Sequence, residues 1–269
     1  MKTYNRVLTI AGSDSGGGAG IQADIKTISA CGCYAASAIT AVTVQNTLGV
    51  TGVHPIPVET IEQQIAAVLE DIGADAVKIG MLHSSEVVHA VAGMLDRFGI
   101  RNVVLDPVMV STSGHRLIEE SAIEALISEL LPKARVITPN IPEAEILLGG
   151  VKLERQAELP EAARELARIS GTSVLLKAGH LTEERLVDIF FDAEQDRFYE
   201  LPSVRIHTKN THGTGCTMSS AFASMLAKGM SLPEAAAAAK NYINDAIVSG
   251  AGYEIGHGFG PVDHFYAHR

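Results

Sequence analysis

Several features that often indicate a protein's class are missing from this chain of 269 residues. It has no tryptophan and three cysteines, an odd number that cannot form a full set of internal pairs. Cys31 and Cys33 are separated by one residue, which is not the C-x-x-C spacing of redox or zinc sites, and Cys216 stands alone. The ten histidines make no metal-ligand spacing. The sequence therefore predicts reduced cysteines, no structural disulfide and no zinc site.

The chain also lacks any run of lysine and arginine, and its formal net charge is −10. Proteins that bind nucleic acid need a basic surface for the phosphates, so we expect no nucleic-acid partner. A small anionic ligand is still compatible with this charge, because backbone amides can bind it locally.

Long hydrophobic runs are absent as well. No apolar stretch approaches the roughly 20 residues of a membrane-spanning helix. The apolar part of residues 1–12 is too short for a signal peptide and leads directly into Asp14 and a glycine cluster. We therefore expect a cytoplasmic protein without a membrane partner.

Short apolar runs rich in β-branched residues alternate with segments of helical periodicity. Strands are predicted over 6–12, 36–44, 75–80, 102–106, 135–138 and 173–177, with an edge strand over 51–58 and an antiparallel pair over 185–191 and 197–201. Helices are predicted over 19–31, 58–71, 84–98, 121–131, 142–148, 160–169 and 232–248. This alternation predicts an α/β fold, with a mostly parallel central sheet and helices on both faces. Because no linker or repeat interrupts it, we expect residues 1–269 to form one domain.

Polar residues follow the predicted strands at their carboxyl ends, where ligands bind in such sheets. Asp14, Gln45 and Asp106 end or follow three strands. Asn140 with Glu143, and Lys177 with His180, follow two more. Polar residues are common in any loop, but carboxylates, amides and a lysine together on one rim favour a binding site.

The segment 208–220 is a polar loop that leads into a helix. Gly213 and Gly215 let the backbone approach a ligand closely, and the first amides of a helix have no partners within it. Together with the helix dipole, these amides predict an anion site. Cys216 lies in that first turn, where the dipole is expected to lower the thiol pKa and favour thiolate. The alternative is a helix start with a small buried cysteine.

Two other phosphate-binding motifs fit poorly. Residues 18–23 match G-x-G-x-x-A between a strand and a helix, but no acidic residue follows about 20 positions later. No glycine-rich stretch ends in Lys-Ser or Lys-Thr, so a Walker A loop is absent. A dinucleotide-binding dehydrogenase is thus a weaker hypothesis, and any ATP phosphates would be held by residues 213–216.

Several motifs together resemble the hydroxymethylpyrimidine/phosphomethylpyrimidine kinases of thiamine biosynthesis, within the ribokinase-like superfamily. The resemblance extends over essentially the whole chain and implies a three-layer α/β sandwich. It depends on segments 11–24 (AGSDSGGGAGIQAD), 44–47 (VQNT), 78–82 (KIGML), 138–144 (TPNIPEA), 210–217 (NTHGTGCT) and 260–265 (GPVDHF).

The resemblance also implies roles for individual residues. Gly213, Thr214 and Gly215 would form the anion hole for the transferred phosphoryl group, and Cys216 would act as catalytic base. The acceptor would be bound by Gly12, Ala19, Asp24, Gln45, Met81 and Val108. ATP would be bound by Asn140, Lys177 and Thr208, and Mg²⁺ by Glu143 and Asp106, Glu143 acting mostly through ordered water.

The implied activity is phosphorylation of 4-amino-5-hydroxymethyl-2-methylpyrimidine by ATP and Mg²⁺, and then of its monophosphate to the diphosphate, in a homodimeric enzyme. Gln45 supports this substrate chemically, because a primary amide complements an N–H donor beside a ring-nitrogen acceptor. Pyridoxal lacks that amino group. A pyridoxal/pyridoxine kinase, or an enzyme with both activities, is nevertheless the nearest alternative, and a non-catalytic ligand-binding protein on this fold is a third.

Overall fold

The computed structural model of the protein describes residues 2–109 and 118–268. Within these residues, nine strands form one sheet. They are β1 (Arg6–Asp14), β2 (Tyr34–Asn46), β3 (Gly49–Pro55), β4 (Ala76–Ile79), β5 (Val103–Leu105), β6 (Val136–Ile137), β7 (Ser173–Leu176), β8 (Arg185–Asp192) and β9 (Arg197–Val204).

The order of the strands is β3-β2-β1-β4-β5-β6-β7-β8-β9. The six central strands, from β2 to β7 in this order, pair in parallel. β3 is antiparallel to β2 at one edge, and β8 and β9 form the antiparallel pair at the other. The mostly parallel sheet predicted from the sequence is thus confirmed, including the edge position of β3, whose Pro55 cannot donate to a ladder.

Eight α-helices cover the sheet in the described ranges. They are α1 (Gly20–Ala30), α2 (Val58–Asp71), α3 (Ser85–Phe98), α4 (Glu120–Ala125), α5 (Ile141–Leu147), α6 (Leu159–Ser170), α7 (Thr214–Ala227) and α8 (Leu232–Gly250). One core packs α1, α7 and α8 against the sheet, with Ile28, Phe222 and Tyr242 among its members. The other core contains Ile61, Val91 and Leu166, from α2, α3 and α6. Two helical layers around one sheet form the expected three-layer sandwich.

The helix predicted over 121–131 has a different geometry. Its α-helical part ends at Ala125, and the chain continues as a π-helix over Leu126–Leu130 and a 3-10 turn over Leu131–Lys133. Pro132 lies in that turn, consistent with the predicted stop, since proline has no N–H to donate.

Cys31 and Cys33 are buried beside α1, and all three cysteines are free thiols. Of the helices in the described ranges, none combines the length and the apolarity that crossing a bilayer requires.

Candidate active site

A cleft of about 710 Å³ lies at the carboxyl ends of the parallel strands, where α7 begins. With two exceptions, the site residues named from the sequence line this cleft. They are Gly12, Ala19, Gln45, Met81, Asp106, Val108, Asn140, Glu143, Lys177, Gly213, Thr214, Gly215 and Cys216.

Asp24 is the first exception. Its side chain is fully buried in α1, where it accepts hydrogen bonds from Thr9 Oγ1 at 2.6 Å and Ser220 Oγ at 2.8 Å. Lys78 Nζ lies 3.0 and 2.9 Å from its two carboxylate oxygens. All the strong acceptor positions of this carboxylate are thus directed into the protein. Asp24 lies behind the cleft wall and does not line the cleft, so its expected position in the substrate pocket stays a prediction.

Thr208 is the second exception. Its hydroxyl accepts a hydrogen bond from the backbone N–H of Asn210 at 3.1 Å, and the residue does not line the cleft. Thr208 shapes the loop before α7, and the expectation that it contacts ATP finds no support in this geometry.

The start of α7 presents backbone amides to the cleft, although the amide of Thr214 also donates to the Thr211 carbonyl at 3.4 Å. Gly213 has φ 78° as the residue before the helix, a conformation that favours glycine. A Cβ on Gly213 would also lie 1.8 Å from the carbonyl oxygen of Gly18. No side chain caps this helix and no acidic residue occupies its first turn. The dipole and the free amides therefore favour an anion in the cleft.

The protonation state of Cys216 differs from the expected one. Burial raises the pKa of its thiol to about 11, although the nearby Lys78 ammonium and a hydrogen bond from the Gly20 backbone act in the opposite direction. The buried charges of Asp24 and Asp106 add to the increase. The lowered pKa predicted from the helix dipole is wrong for the free protein, in which Cys216 is a thiol at neutral pH.

Asp106 and Lys177 form a buried ion pair beside the start of α7. Lys177 Nζ lies 2.8 Å from Asp106 Oδ1, which also accepts from Thr138 Oγ1 at 2.9 Å. Burial raises the pKa of Asp106, but Lys177 and Lys78 outweigh it and the net pKa is lowered. A Cβ built on Gly215 would lie 3.3 Å from both Asp106 Oδ2 and Lys177 Nζ. The ion pair therefore adjoins the anion site closely.

Asn140 and Glu143 form the N-terminal cap of α5. Glu143 N–H donates to Asn140 Oδ1 at 2.9 Å, and Asn140 N–H donates to Glu143 Oε2 at 2.8 Å, a reciprocal capping box. Burial raises the pKa of Glu143 from 4.5 to about 8, despite the opposing charge of Lys177. The carboxyl group is thus held in place near the cleft and is ready to ionise when a cation approaches.

At the other end of the cleft, Gln45 from β2 lies near Met81 and Val108. A Cβ on Gly12 would lie 2.6 Å from Met81 Cε, so glycine at this strand end leaves room for the methionine. This end combines apolar side chains with one primary amide. It suits a flat heteroaromatic ring with a hydrogen-bonding edge.

Several residues that line the cleft have no assigned role from the sequence. From the sequence, Lys78 and His212 appear only within the quoted segments 78–82 and 210–217. An apolar end made of Leu186, Ile206, Ile243 and Ile247 was not foreseen. The spacing of Ile243 and Ile247 on one helix face was the available signal, but it equally fits a buried core.

A buried ion pair borders this apolar end. Lys240 Nζ lies 2.7 Å from Asp188 Oδ2, and Asp188 Oδ1 accepts from the backbone N–H of Ala178 at 2.8 Å. Ala178 directly follows Lys177, so the pair ties α8 to the strand end that carries the lysine. An apolar surface next to phosphate-binding groups is suited to a purine base and its phosphates.

A second cavity, of about 930 Å³, lies at the amino ends of β5, β6 and β7. Six of its titratable side chains form pairs: Lys133 with Asp96, Arg135 with Glu194 and His89 with Glu129. It has no helix start or buried titratable group like those of the first cleft, which is therefore the candidate active site.

Comparison with known proteins identifies the family of this chain. A family model described as phosphomethylpyrimidine kinase matches residues 14–263. Hydroxymethylpyrimidine/phosphomethylpyrimidine kinase of Rhizobium meliloti is 51% identical over 259 residues, which cover 96% of each chain.

Two solved structures are also similar. Bacillus subtilis pyridoxal kinase, in its ADP complex, aligns with a TM-score of 0.90 at 37% identity, over 98% of this chain and 99% of that one. Phosphomethylpyrimidine kinase from Clostridium difficile aligns with a TM-score of 0.79 at 44% identity, over 90% of this chain and 99% of that one. The family predicted from the sequence motifs is confirmed, and this chain belongs to the phosphomethylpyrimidine kinases.

Proposed function

We propose that this protein transfers the γ-phosphoryl group of ATP to the hydroxymethyl oxygen of 4-amino-5-hydroxymethyl-2-methylpyrimidine, and then phosphorylates the monophosphate to the diphosphate. One observation carries the proposal. The uncapped start of α7 lies in the same cleft as the Gln45 amide and the apolar side chains of Ile243 and Ile247. An acceptor beside the amide and a nucleotide against the apolar side chains would meet at the anion site.

The nucleotide would place its base against the apolar end and its phosphates toward Asn140 and Lys177. The Lys177 side chain is 12% exposed and its ammonium is held by Asp106, so it can neutralise phosphate charge without reorganising. The transferred group would pass through a loose transition state whose charge develops on its equatorial oxygens. The amides at Gly213 to Cys216 would stabilise that charge.

Glu143 and Asp106 fit a magnesium ion that also binds the ATP phosphates. Mg²⁺ is usually held by one or two carboxylates, substrate phosphates and several waters, rather than by a protein cage. This agrees with the described ranges, in which no group of three or more His, Cys, Asp or Glu could hold a metal alone. Bound Mg²⁺ would neutralise phosphate charge. Glu143 would release its proton on binding it and Asp106 is already ionised.

Cys216 is the proposed acceptor of the hydroxymethyl proton. Its sulfur lies in the first turn of α7, beside the anion site and within the cleft. Because the transition state of phosphoryl transfer is loose, the acceptor oxygen needs to lose its proton only late. Only the thiolate can accept this proton, so the Cys216 thiol, whose pKa is about 11 in the free protein, would first release its own proton to solvent and would then act as a strong base.

The direct test is an assay of ADP release with ATP and Mg²⁺ against a panel of pyrimidine and pyridoxal alcohols. The pyrimidine alcohol should be turned over with the higher kcat/KM, and its monophosphate should also be a substrate. No ADP release with any pyrimidine alcohol would contradict the proposal.

Pyridoxal kinase activity is the second candidate, because the B. subtilis enzyme of similar structure is a pyridoxal kinase. Gln45 favours the pyrimidine, since pyridoxal has no amino group beside a ring nitrogen to pair with the amide. The same panel decides between the two through the ratio of the two kcat/KM values.

We also propose a homodimer that associates through the outer face of β2 and β3. Val42 and Val44 are exposed on one face of β2, and Leu48 in the turn between β2 and β3 is 66% exposed. Val44→Asp should yield monomers in light scattering after gel filtration, whereas Val204→Asp at the opposite edge should not. A wild-type monomer at assay concentrations would contradict this.

The proposal includes residues 1–269 as one kinase domain and, because ATP is the donor, a cytoplasmic location.

A further inference from the structure

Four polar side chains meet at the acceptor end of the cleft: Asp14, Thr43, Gln45 and His212. His212 Nε2 lies 2.9 Å from Asp14 Oδ2 and 3.2 Å from Gln45 Nε2. Gln45 Oε1 lies 3.1 Å from Thr43 Oγ1. Assigning donors and acceptors in this cluster fixes which way the Gln45 amide faces.

Asp14 acts only as an acceptor. Its Oδ1 accepts from the backbone N–H of Gly16 at 2.8 Å, and Oδ2 accepts from those of Gly18 and Ala19 at 3.0 and 2.8 Å. The residue is 2% exposed, so these bonds define the state of the carboxylate. Burial raises the pKa of Asp14, but the bonds from His212 and the backbone amides bring it below its ordinary value. The group is therefore an anion, and it can only accept a hydrogen bond from His212.

His212 consequently carries hydrogen on Nε2. Its side chain is buried against Gly18, where a Cβ would lie 2.5 Å from His212 Cδ2. The backbone fixes the ring as well, since His212 N–H donates to the Gly260 carbonyl at 3.0 Å. The single hydrogen on Nε2 is thus shared between two neighbours, Asp14 Oδ2 and the near end of the Gln45 amide.

Two N–H groups cannot form a hydrogen bond with each other, so the amide end of Gln45 next to His212 must be its oxygen. Rotating the amide by a half-turn about its last torsion satisfies every partner. The nitrogen then faces Thr43 Oγ1, whose own hydrogen is directed to the Ser13 carbonyl at 2.7 Å. Thr43 accepts from Gln45, and Gln45 accepts from His212.

In this orientation one N–H and one oxygen lone pair of Gln45 stay unused. These two groups are side by side on one amide, and they match the edge of a heterocycle that offers a ring nitrogen beside an exocyclic amino group. An amide free to flip would present the wrong order half of the time. Because both ends of the amide are held in one orientation before the ligand binds, binding does not lose affinity to the wrong orientation.

We infer that His212, held by Asp14, is a positioning residue for substrate specificity: it fixes the Gln45 amide in the one orientation that recognises an aminopyrimidine edge. The inference deepens the proposed function and rests on it for the identity of the substrate. Thr43 pins the other end of the amide. Because His212 directly precedes Gly213, the residue that orients Gln45 is also adjacent in the chain to the anion site.

The test is a double-mutant cycle on kcat/KM for the aminopyrimidine alcohol, with pyridoxal as the reference substrate. His212→Phe removes the donor at similar size, and Gln45→Met removes the amide. Each single variant should lose about tenfold or more on the pyrimidine relative to pyridoxal, the effect of one misplaced hydrogen bond in a desolvated site. The double variant should lose little more than Gln45→Met alone, because His212 acts through Gln45.

Three further variants sharpen the result. His212→Gln keeps an N–H donor and should recover part of the preference, and Thr43→Val should lower it through the other end of the amide. His207→Phe replaces an exposed histidine of the same segment, paired with Glu184, and should leave the preference unchanged. Additive losses in the cycle, or equal losses on pyrimidine and pyridoxal, would overturn the inference.

A measurement on the wild-type protein covers the case in which His212→Phe fails to fold. Nitrogen-15 NMR of labelled histidine should show His212 with hydrogen on Nε2 before any ligand is added. An unprotonated Nε2 would overturn the inference whatever the enzyme phosphorylates. Conversely, failure of the wild-type enzyme to phosphorylate the pyrimidine would overturn the proposed function, while an additive cycle in an active enzyme would overturn the role of His212 alone.

Discussion

Cys216 is subject to two opposing effects, and their sizes explain its protonation state. A helix N-terminus stabilises a nearby anion by typically 0.3–1 kcal/mol, and by about 2 kcal/mol in partly buried geometries. Burial disfavours a charged group by up to several pKa units, each worth about 1.4 kcal/mol. Burial therefore prevails, and the pKa of the Cys216 thiol is about 11 in the free protein. The sequence shows that Cys216 lies at a helix start and so predicts the effect of the dipole on its pKa. It does not show how deeply the thiol is buried.

If Cys216 accepts the substrate proton, Cys216→Ala should lower kcat by roughly 10²–10⁴, the usual contribution of a positioned general base. Substrate binding should persist, because the anion site is built from backbone amides. Cys216→Asp should recover part of the rate, since a carboxylate can also accept the proton. Steady-state kinetics with the pyrimidine alcohol measures this. A near-normal kcat in Cys216→Ala would mean that the proton leaves to phosphate or water.

The raised pKa makes a separate prediction about alkylation. Inactivation by a small alkylating reagent should accelerate by about tenfold per pH unit from about pH 7 to about pH 10 without reaching a plateau, since only thiolate reacts. ATP together with substrate should protect the enzyme. Cys31→Ser and Cys33→Ser should leave this profile in place, because both residues are buried outside the cleft. A plateau near neutral pH would show that the dipole prevails after all.

At the residue scale, Gln45 is the proposed determinant of which acceptor the enzyme prefers. Gln45→Met should weaken pyrimidine binding by about 1–3 kcal/mol, the cost of losing a hydrogen-bonding partner in a desolvated pocket. Pyridoxal turnover should be spared or improved, because that ring has no matching edge. Competition between the two substrates measures the shift directly. An unchanged preference would remove Gln45 from the recognition site.

At the scale of the element, three helix starts reach the cleft, those of α1, α5 and α7. The start of α5 is closed by its own side chains, since Asn140 and Glu143 cap each other. The start of α1 has no side-chain cap, but its N-cap residue Ala19 donates its N–H to Asp14 Oδ2. The start of α7 has no side-chain cap and begins at a left-handed glycine. The proposed function therefore assigns the anion site to α7 and a carboxyl group that can bind a cation to α5.

Glu143→Gln should raise the Mg²⁺ requirement and lower kcat, while pyrimidine binding without ATP stays nearly intact. Glutamine can still accept from Asn140 N–H, so the cap of α5 should survive. Titration of the reaction with Mg²⁺ measures the first effect and calorimetry the second. An equal loss of pyrimidine affinity would place Glu143 in the acceptor subsite instead.

The same variant has a stability signature that depends on pH. The folded pKa of Glu143 is raised from 4.5 to about 8, so the unfolded chain releases this proton first and wild-type stability falls as pH rises from about 4.5 to about 8. Above that range, Glu143→Gln should unfold at a higher temperature than the wild type without nucleotide, by about 1 kcal/mol or more of unfolding free energy. The two proteins should converge near pH 4.

The elements show how far the sequence alone could predict the site. The alternation of strands and helices, and the polar residues at strand ends, placed Gln45, Asp106 and Lys177 on one rim. Thr208 was misplaced because local sequence does not show which side of a loop faces the ligand. The burial of Asp24 was missed for a different reason. Its partners Lys78 and Ser220 come from β4 and α7, distant in sequence, and helical periodicity does not reveal a buried ion pair.

For the whole molecule, that ion pair joins the layers beneath the active site. Asp24 on α1 contacts Thr9 of β1, Lys78 of β4 and Ser220 of α7, and all four residues are fully buried. Burial lowers the pKa of Lys78, but the attraction of Asp24 outweighs it, so the net pKa is raised and the lysine stays charged. A charged pair at the junction of these four elements fixes how the helical layer sits on the sheet. It thereby fixes the height of Cys216, one turn before Ser220, above the strand ends.

Asp24→Leu should therefore act on stability before it acts on substrate binding. It leaves the Lys78 ammonium buried without a counter-charge, which typically costs about 3–5 kcal/mol of unfolding free energy. Adding Lys78→Met removes the second charge and should restore a large part of the loss, since paired charges can often be replaced by apolar side chains of similar volume. Urea unfolding of the wild type, the single variant and the double variant measures all three. If Asp24→Leu were as stable as the wild type but had lost its affinity for the pyrimidine, Asp24 would belong to the acceptor pocket after all and the network beneath it would contribute little to holding the layers together.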